Sequence, residues 1–200
     1  MSAQTAADPI GRRATPADLD AITATLSLAF EGDPVWGWAF GGAREIEVCW
    51  RLCLHSAIPH GWVWTTAGYE AAALWIPPGR PEFSPADDTA MEPALRAVMG
   101  ARADVPLGAW PDFETYHPQD EPHYYLSLLG THPDHRGTKR GMRLLSESLA
   151  AIDAEHTAAY LESTNPMNNE RYASVGFEPR DSFVVRGGTA LVTTMWRPAR

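Results

Sequence analysis

The stretch Tyr124–Leu149 reads YYLSLLGTHPDHRGTKRGMRLLSESL, and its reading decides the fold. An alternating apolar run predicts a strand. A short polar turn follows, then small and basic residues, then an amphipathic helix. Arg136-Gly137-Thr138-Lys139-Arg140-Gly141 falls where that helix begins. Backbone N–H groups at a helix start have no intrahelical partner and carry the positive end of the dipole, so they bind phosphate well. Arg136, Lys139, Arg140 and Arg143 crowd into eight residues of a chain whose formal charge is −9, and Lys139 is its only lysine. A cationic pocket in an acidic chain implies a small phosphorylated ligand rather than a nucleic acid.

Outward from this stretch, composition bounds the rest. A chain of 200 residues favours one domain, or one domain with an elaborated insertion. An apolar share of 44% with eight tryptophans is ample for a packed core and argues against global disorder. No run of 18 apolar residues exists, and MSAQTAADPIGRR lacks the apolar segment of a signal peptide, so a soluble cytoplasmic protein with no membrane partner is expected. Dispersed acidity without a basic face disfavours DNA or RNA. Cys49 and Cys53 share one face of an apparent helix and read as small buried hydrophobes. With His55 and His60 they lack a recognised metal-ligand spacing, as do His132 and His135, and no metal is expected.

Along the chain, strands alternate with helices. Residues 1–9 read as a loose tail, and Gly11 to Ala14 as a first strand. Thr15-Pro16-Ala17-Asp18 is a helix start, with a hydroxyl cap, a proline and an acid in the order such starts favour. Leu19, Ile22, Leu26 and Phe30 then mark one helical face. Asp33-Pro34 ends it, and Val35 to Phe40 is an aromatic patch. A second helix is predicted over 43–57, two strands over 61–69 and 71–76, and a helix near 87–101. A proline-rich, acidic, aromatic loop is expected to close the segment 80–121. Strands at about 123–131 and 158–163 should run parallel, joined by a helix from 139 to 155 that turns Met142, Leu145, Leu149 and Ile152 to the sheet. A short helix from Asn165-Pro166 to Gly176 and strands near 177–186 and 189–197 complete the chain.

A second motif follows about 35 residues after the first: Asn165-Pro166-Met167-Asn168-Asn169-Glu170-Arg171-Tyr172-Ala173-Ser174-Val175-Gly176-Phe177. Arg136-x-x-Lys139-x-Gly141 resembles the Gln/Arg-x-x-Gly-x-Gly/Ala signature of the GNAT superfamily of N-acetyltransferases. The later segment resembles that family's Asn-x-x-x-Tyr-x-x-x-Gly-Phe element. The closing strands and Leu161-Glu162 look most like the bacterial subgroup that includes puromycin N-acetyltransferase. The resemblance is clearest over 122–180. It implies a single acyltransferase domain over 10–198, an α/β fold with a mixed, twisted sheet of six or seven strands and helices on both faces, and a substrate-side insertion at about 80–121.

That resemblance also implies the chemistry. Acetyl-CoA would be the acyl donor, a small-molecule amine the acceptor, and the protein a monomer or homodimer. Backbone near Leu128, Leu129, Gly130 and Thr131 would meet the thioester and pantetheine arm. The segment Arg136, Gly137, Thr138, Lys139, Arg140, Gly141 and Met142 would meet the pyrophosphate, and Asn168 the cofactor arm. Tyr172 stands at the family's tyrosine position and suits a general acid, being protonated at neutral pH. Glu162 would collect the amine proton or anchor an ammonium. Glu31, Asp33 and Trp36, with Trp38 and Phe40 nearby, would lie on the acceptor side. Lys139 replaces the motif's first glycine, where a side chain can obstruct a pyrophosphate. A CoA-binding protein without catalysis, and an acetyltransferase for peptides or proteins, are the alternatives.

Overall fold

The computed structural model describes residues 9–200, so the expected tail lies largely outside the described residues. Seven strands form one mixed sheet: β1 (Gly11–Arg13), β2 (Val63–Thr66), β3 (Ala71–Ile76), β4 (His123–Thr131), β5 (Ala158–Ser163), β6 (Glu178–Val184) and β7 (Leu191–Arg197). Their spatial order is β1-β2-β3-β4-β5-β7-β6. Only β4 and β5 pair in parallel; the other neighbours are antiparallel. No described helix is long and apolar enough to cross a membrane.

Helices cover both faces. On one side lie α1 (Leu19–Phe30), α2 (Trp36–Phe40), α3 (Ala43–Ala57), α4 (Pro85–Met99) and α5 (Asp104–Tyr116), packed around Ile22, Leu26, Phe40, Ile46, Leu54 and Leu95. On the other lies α6 (Arg140–Asp153), whose Leu144, Leu145, Leu149 and Ile152 are buried against Trp75, Tyr124 and Leu126. Met142 is half-buried on the same face. The expected crossover helix between β4 and β5 is therefore present, in the expected orientation. Ser148 accepts the indole N–H of Trp75 at 3.0 Å, fixing α6 across the sheet. α7 (Asn169–Ala173) is a single turn set between β5 and β6. At the far end of α6, Asp153 takes a bidentate pair from the buried Arg197 guanidinium, at 2.6 and 2.8 Å. Cys49 and Cys53 are free and lie in the core.

Two readings of the sequence are corrected. The segment 104–116 is helical, not loop. Pro106 falls in the first turn of α5, where its missing N–H has no intrahelical bond to make, and the burial of Ala109 and Phe113 carries the helix past Pro111. The aromatic patch is itself the helix α2, closed by Gly41 at φ 89°.

The central strand is irregular at one residue. Leu74 pairs with Leu128, and the next residue, Trp75, pairs with Leu126, so Ser127 is left over as a bulge. A bulge reverses the alternation of faces. Before it, Tyr124 and Leu126 face α6; after it, Leu128 faces the α1 layer and Thr131 touches α6 at Gly141. Immediately before the bulge, pairing with β5 ends: the parallel rungs are His123–Ala158, Tyr124–Ala159 and Tyr125–Tyr160, and no more. From Leu126 onward β4 and β5 part.

Candidate active site

The parting of β4 and β5 opens a cleft of about 610 Å³. Its walls include Leu129, Gly130 and Thr131 from β4, the end of β5 with Glu162 to Asn165, and Arg136, Gly137 and Lys139 to Met142 beyond the turn. Asn168 and Tyr172 close it from above. Gly130 is needed here because a Cβ would stand 2.8 Å from both Ala29 and Leu26 of α1. Gly141 is needed for the same kind of reason, since its Cβ would meet the Thr131 hydroxyl at 2.4 Å. These close approaches hold the start of α6 against the open edge of β4.

The loop before α6 takes a left-handed turn twice, at Gly137 (φ 80°) and at Lys139 (φ 62°). Lys139 thus holds a left-handed backbone, the region that favours glycine, at a strain of roughly 1–2 kcal/mol. Its side chain is exposed. The first intrahelical bond runs from the Arg143 N–H to the Lys139 carbonyl at 2.9 Å, so the N–H groups of residues 140–142, all of which line the cleft, precede the ladder. Arg136 donates to the Ala29 carbonyl at 3.0 Å, and Arg140 pairs with Glu70 at 3.2 Å. Thr138 does not line the cleft; its hydroxyl donates to the His135 carbonyl at 2.6 Å and tightens the turn. A backbone cradle, unpaired N–H groups and arginines at its rim fit a pyrophosphate and its pendant arm.

Tyr172 is half-buried, packed edge-on to Phe177. Burial first, and then the nearby negative charge of Asp33, push its phenol up to about 12. It therefore keeps its proton throughout the neutral range. Asp33 borders the cleft with both oxygens engaged: Oδ1 accepts the N–H groups of Val35 and Trp36 at 2.9 Å, and Oδ2 accepts the Thr164 hydroxyl at 2.7 Å. Burial still pushes this carboxyl above its ordinary range. Asp33 thus starts α2 and ties it to the end of β5.

A second chamber, of about 1460 Å³, opens on the α1–α5 side of the sheet. Trp36, Ser127, Glu162 and Thr164 line both spaces, so these four residues form the neck between them. Trp36 is stacked on Phe113 at 5.0 Å and bounds the neck with its ring. Phe40 is in the core, and Trp38 is exposed and lines neither space. Glu31 is likewise exposed and lines neither.

The neck holds a group of acids that sequence reasoning did not bring together. The Glu162 side chain is 2% exposed, with His117 Nδ1 3.5 Å from its Oε1. Neither of its oxygens has a hydrogen bond of ordinary length and angle among the described residues. Burial, and then the Glu162 charge, push the phenols of Tyr125 and Tyr160 well above the tyrosine range. Glu82, from the segment between β3 and α4, accepts the hydroxyl of Ser127. Burial pushes Glu82 up to about 7; the Ser127 bond opposes this, and the Glu162 charge adds to it. His117 meets His123 at 3.1 Å between Nε2 atoms, and burial pushes His123 down. Ser127, a lone small polar residue inside YYLSLL, carried a sequence signal. Glu82, after a run of prolines, and His117, after α5, carried none.

Among solved structures, the chain superposes on one described as histone acetyltransferase HPA2 and related acetyltransferase, from Corynebacterium glutamicum, with a TM-score of 0.68 at 24% identity over 96% of this chain and 97% of that one. It superposes on an agmatine N-acetyltransferase with a TM-score of 0.65 at 17% identity, covering 96% and 100%. It superposes on arylalkylamine N-acetyltransferase 2 from Aedes aegypti with a TM-score of 0.63 at 12% identity, covering 95% and 98%. No protein-family model matches the sequence. The protein has the fold of the GNAT N-acetyltransferases.

Proposed function

We propose that the protein is an acetyl-CoA-dependent N-acetyltransferase that moves an acetyl group to the amine of a small molecule. The observation that carries this reading is the opening of the sheet after Tyr125, with a phosphate cradle at one end and a protonated tyrosine beside it. Acetyl-CoA, as substrate, would set its pyrophosphate on residues 136–142 and its acyl arm along the unpaired edge of β4. Asn168, which lines the cleft, would stand beside that arm. Fold alone does not assign an activity; the cleft, the acid and the neck supply the argument. The relatives whose names specify agmatine and arylalkylamines support an amine as the acceptor class.

The reaction needs an unprotonated nitrogen, because an ammonium has no lone pair to attack with. The acceptor therefore gives up one proton before attack, and Glu162 is the first candidate to hold or relieve that cation. The nitrogen then adds to the thioester carbonyl, and the C–S bond breaks. Tyr172 donates its proton to the departing sulfur and recovers one from the nitrogen, so it ends as it began. Thiol release from acetyl-CoA, followed colorimetrically across a panel of small amines and of peptides, tests the reading. Turnover confined to peptides would replace the small-amine acceptor; no turnover with any amine would end the enzymatic reading.

A further inference from the structure

The chamber's inner end carries more than an acceptor pocket needs by shape alone. A buried carboxylate short of hydrogen bonds is costly unless a cation or donor meets it. Glu162 has no hydrogen bond of ordinary geometry, only His117 at 3.5 Å and the phenols of Tyr125 and Tyr160 beside it, and it stands in the wall shared by both spaces. Opposite, the bulge aims the Ser127 side chain into the same neck, and Ser127 already donates to Glu82. The charge of the outer wall is mostly negative: Asp88, Glu114 and Asp120 have no cationic partner among the described residues, and Arg80 is the one arginine or lysine lining the chamber.

Resting on the acetyltransferase reading, we infer that this neck is an ammonium subsite in which Glu162 holds the cation and Glu82, through Ser127, takes its proton, and that it selects amines carrying no carboxylate of their own. The transfer balances in one step. The ammonium N–H proton passes to the Ser127 oxygen as the Ser127 proton passes to Glu82, leaving a neutral amine, an intact serine and a neutral carboxylic acid. The amine lone pair then forms the C–N bond. Several groups face Glu82: Glu162 on β5, Ser127 and Tyr125 on β4, His117 and Glu114 from the α5 region, and Cys53 on α3. Burial among these groups keeps Glu82 near the pH at which it can both accept a proton and release it. A carboxylate on the acceptor would lie beside Glu162 and Glu82 with little but Arg80 to offset it, and like charges at such range are strongly disfavoured.

Steady-state kinetics on the full-length protein with saturating acetyl-CoA test this, using pairs that differ by one carboxylate: phenethylamine against phenylalanine, and cadaverine against lysine. The decarboxylated member should have the higher kcat/KM by on the order of 100-fold. Glu82→Gln should lower kcat at pH 7 by about 10²–10⁴-fold with the amine KM little changed, and most of the loss should return near pH 10, where free amine is abundant. Ser127→Ala should follow Glu82→Gln, and Glu162→Gln should instead raise the amine KM. Acetyl-CoA binding by calorimetry, unchanged in all three, separates these effects from misfolding. An active wild type whose Glu82→Gln variant keeps both kcat and pH profile would overturn the proton-acceptor assignment alone. Equal use of both members of each pair would overturn the selectivity. A wild type that turns over no amine removes the acetyltransferase reading, and this inference with it.

Discussion

Residues 126–142 supply the largest single share of the cleft, and they supply it largely as backbone: an unpaired strand edge, two left-handed turns and a helix start. The chamber on the other side of the neck is assembled from side chains of five separate segments, among them Glu82, Trp110, His117, Ser127 and Glu162. One space is a feature of the fold, the other of this chain. Backbone geometry tolerates most replacements that respect its angles, whereas a cavity of side chains changes with each of them. The two halves of the site should therefore respond differently to mutation.

The largest effect is expected at the group proposed to protonate the leaving sulfur. Tyr172→Phe removes one hydroxyl and should lower kcat by about 10²–10⁴-fold while acetyl-CoA affinity, measured by calorimetry, stays within a few fold. A comparable loss of acetyl-CoA affinity would make Tyr172 part of the cleft's binding surface rather than its acid.

Next comes the chamber's own strain. Glu82 has a folded pKa near 7 against an ordinary 4.5, so between these values the folded state holds a proton that the unfolded state has lost. Stability should fall as pH rises from about 4.5 to 7 and stay low above it. Glu82→Gln should relieve this, raising stability at pH 8 by on the order of 3 kcal/mol and hardly at all at pH 4. Denaturant midpoints for both proteins at the two pH values would show it, and an equal gain at both would deny the charge as its cause.

The cleft's side chains should matter less. Arg136→Ala should weaken acetyl-CoA by about 1.5–3 kcal/mol if the guanidinium leaves the Ala29 carbonyl for a phosphate, and by far less if the backbone carries the load. The smallest effect is expected at the motif's departure from its family. Lys139→Gly removes a strained left-handed residue and should stabilise the fold by about 1 kcal/mol with acetyl-CoA affinity kept. A large gain in affinity would instead mean that the lysine side chain obstructs the cleft.

The same contrast accounts for what the sequence disclosed. The strand, turn and helix of 123–153 and the second motif at 165–177 were readable because each is local: periodicity, a glycine and a basic cluster sit side by side. β5 and the short helix carrying Tyr172 followed from spacing along the chain. The helix over 104–116 was missed because Pro106 and Pro111 read as breaks, while the burial that overrides them is tertiary. The bulge at Ser127 was invisible because the alternation on either side looks regular until β3 supplies the register. Asp33 read as an acceptor contact; its bonds to Val35 and Trp36 are local, but the one to Thr164 joins residues 131 apart. Glu82 and His117 meet at the neck only because α4 and α5 fold back over the sheet.

The three parallel rungs between β4 and β5 leave the rest of both strands with bare edges in the middle of the sheet. An uncovered edge is a template on which another chain can build, and proteins commonly guard such edges at the rim of a sheet. Here the guard is position. The bare stretch lies between α1, α6 and α7, inside a cleft of about 610 Å³ rather than on an open rim. The defect that would make a flat sheet sticky would, on the proposed function, make this one selective, admitting guests by their width.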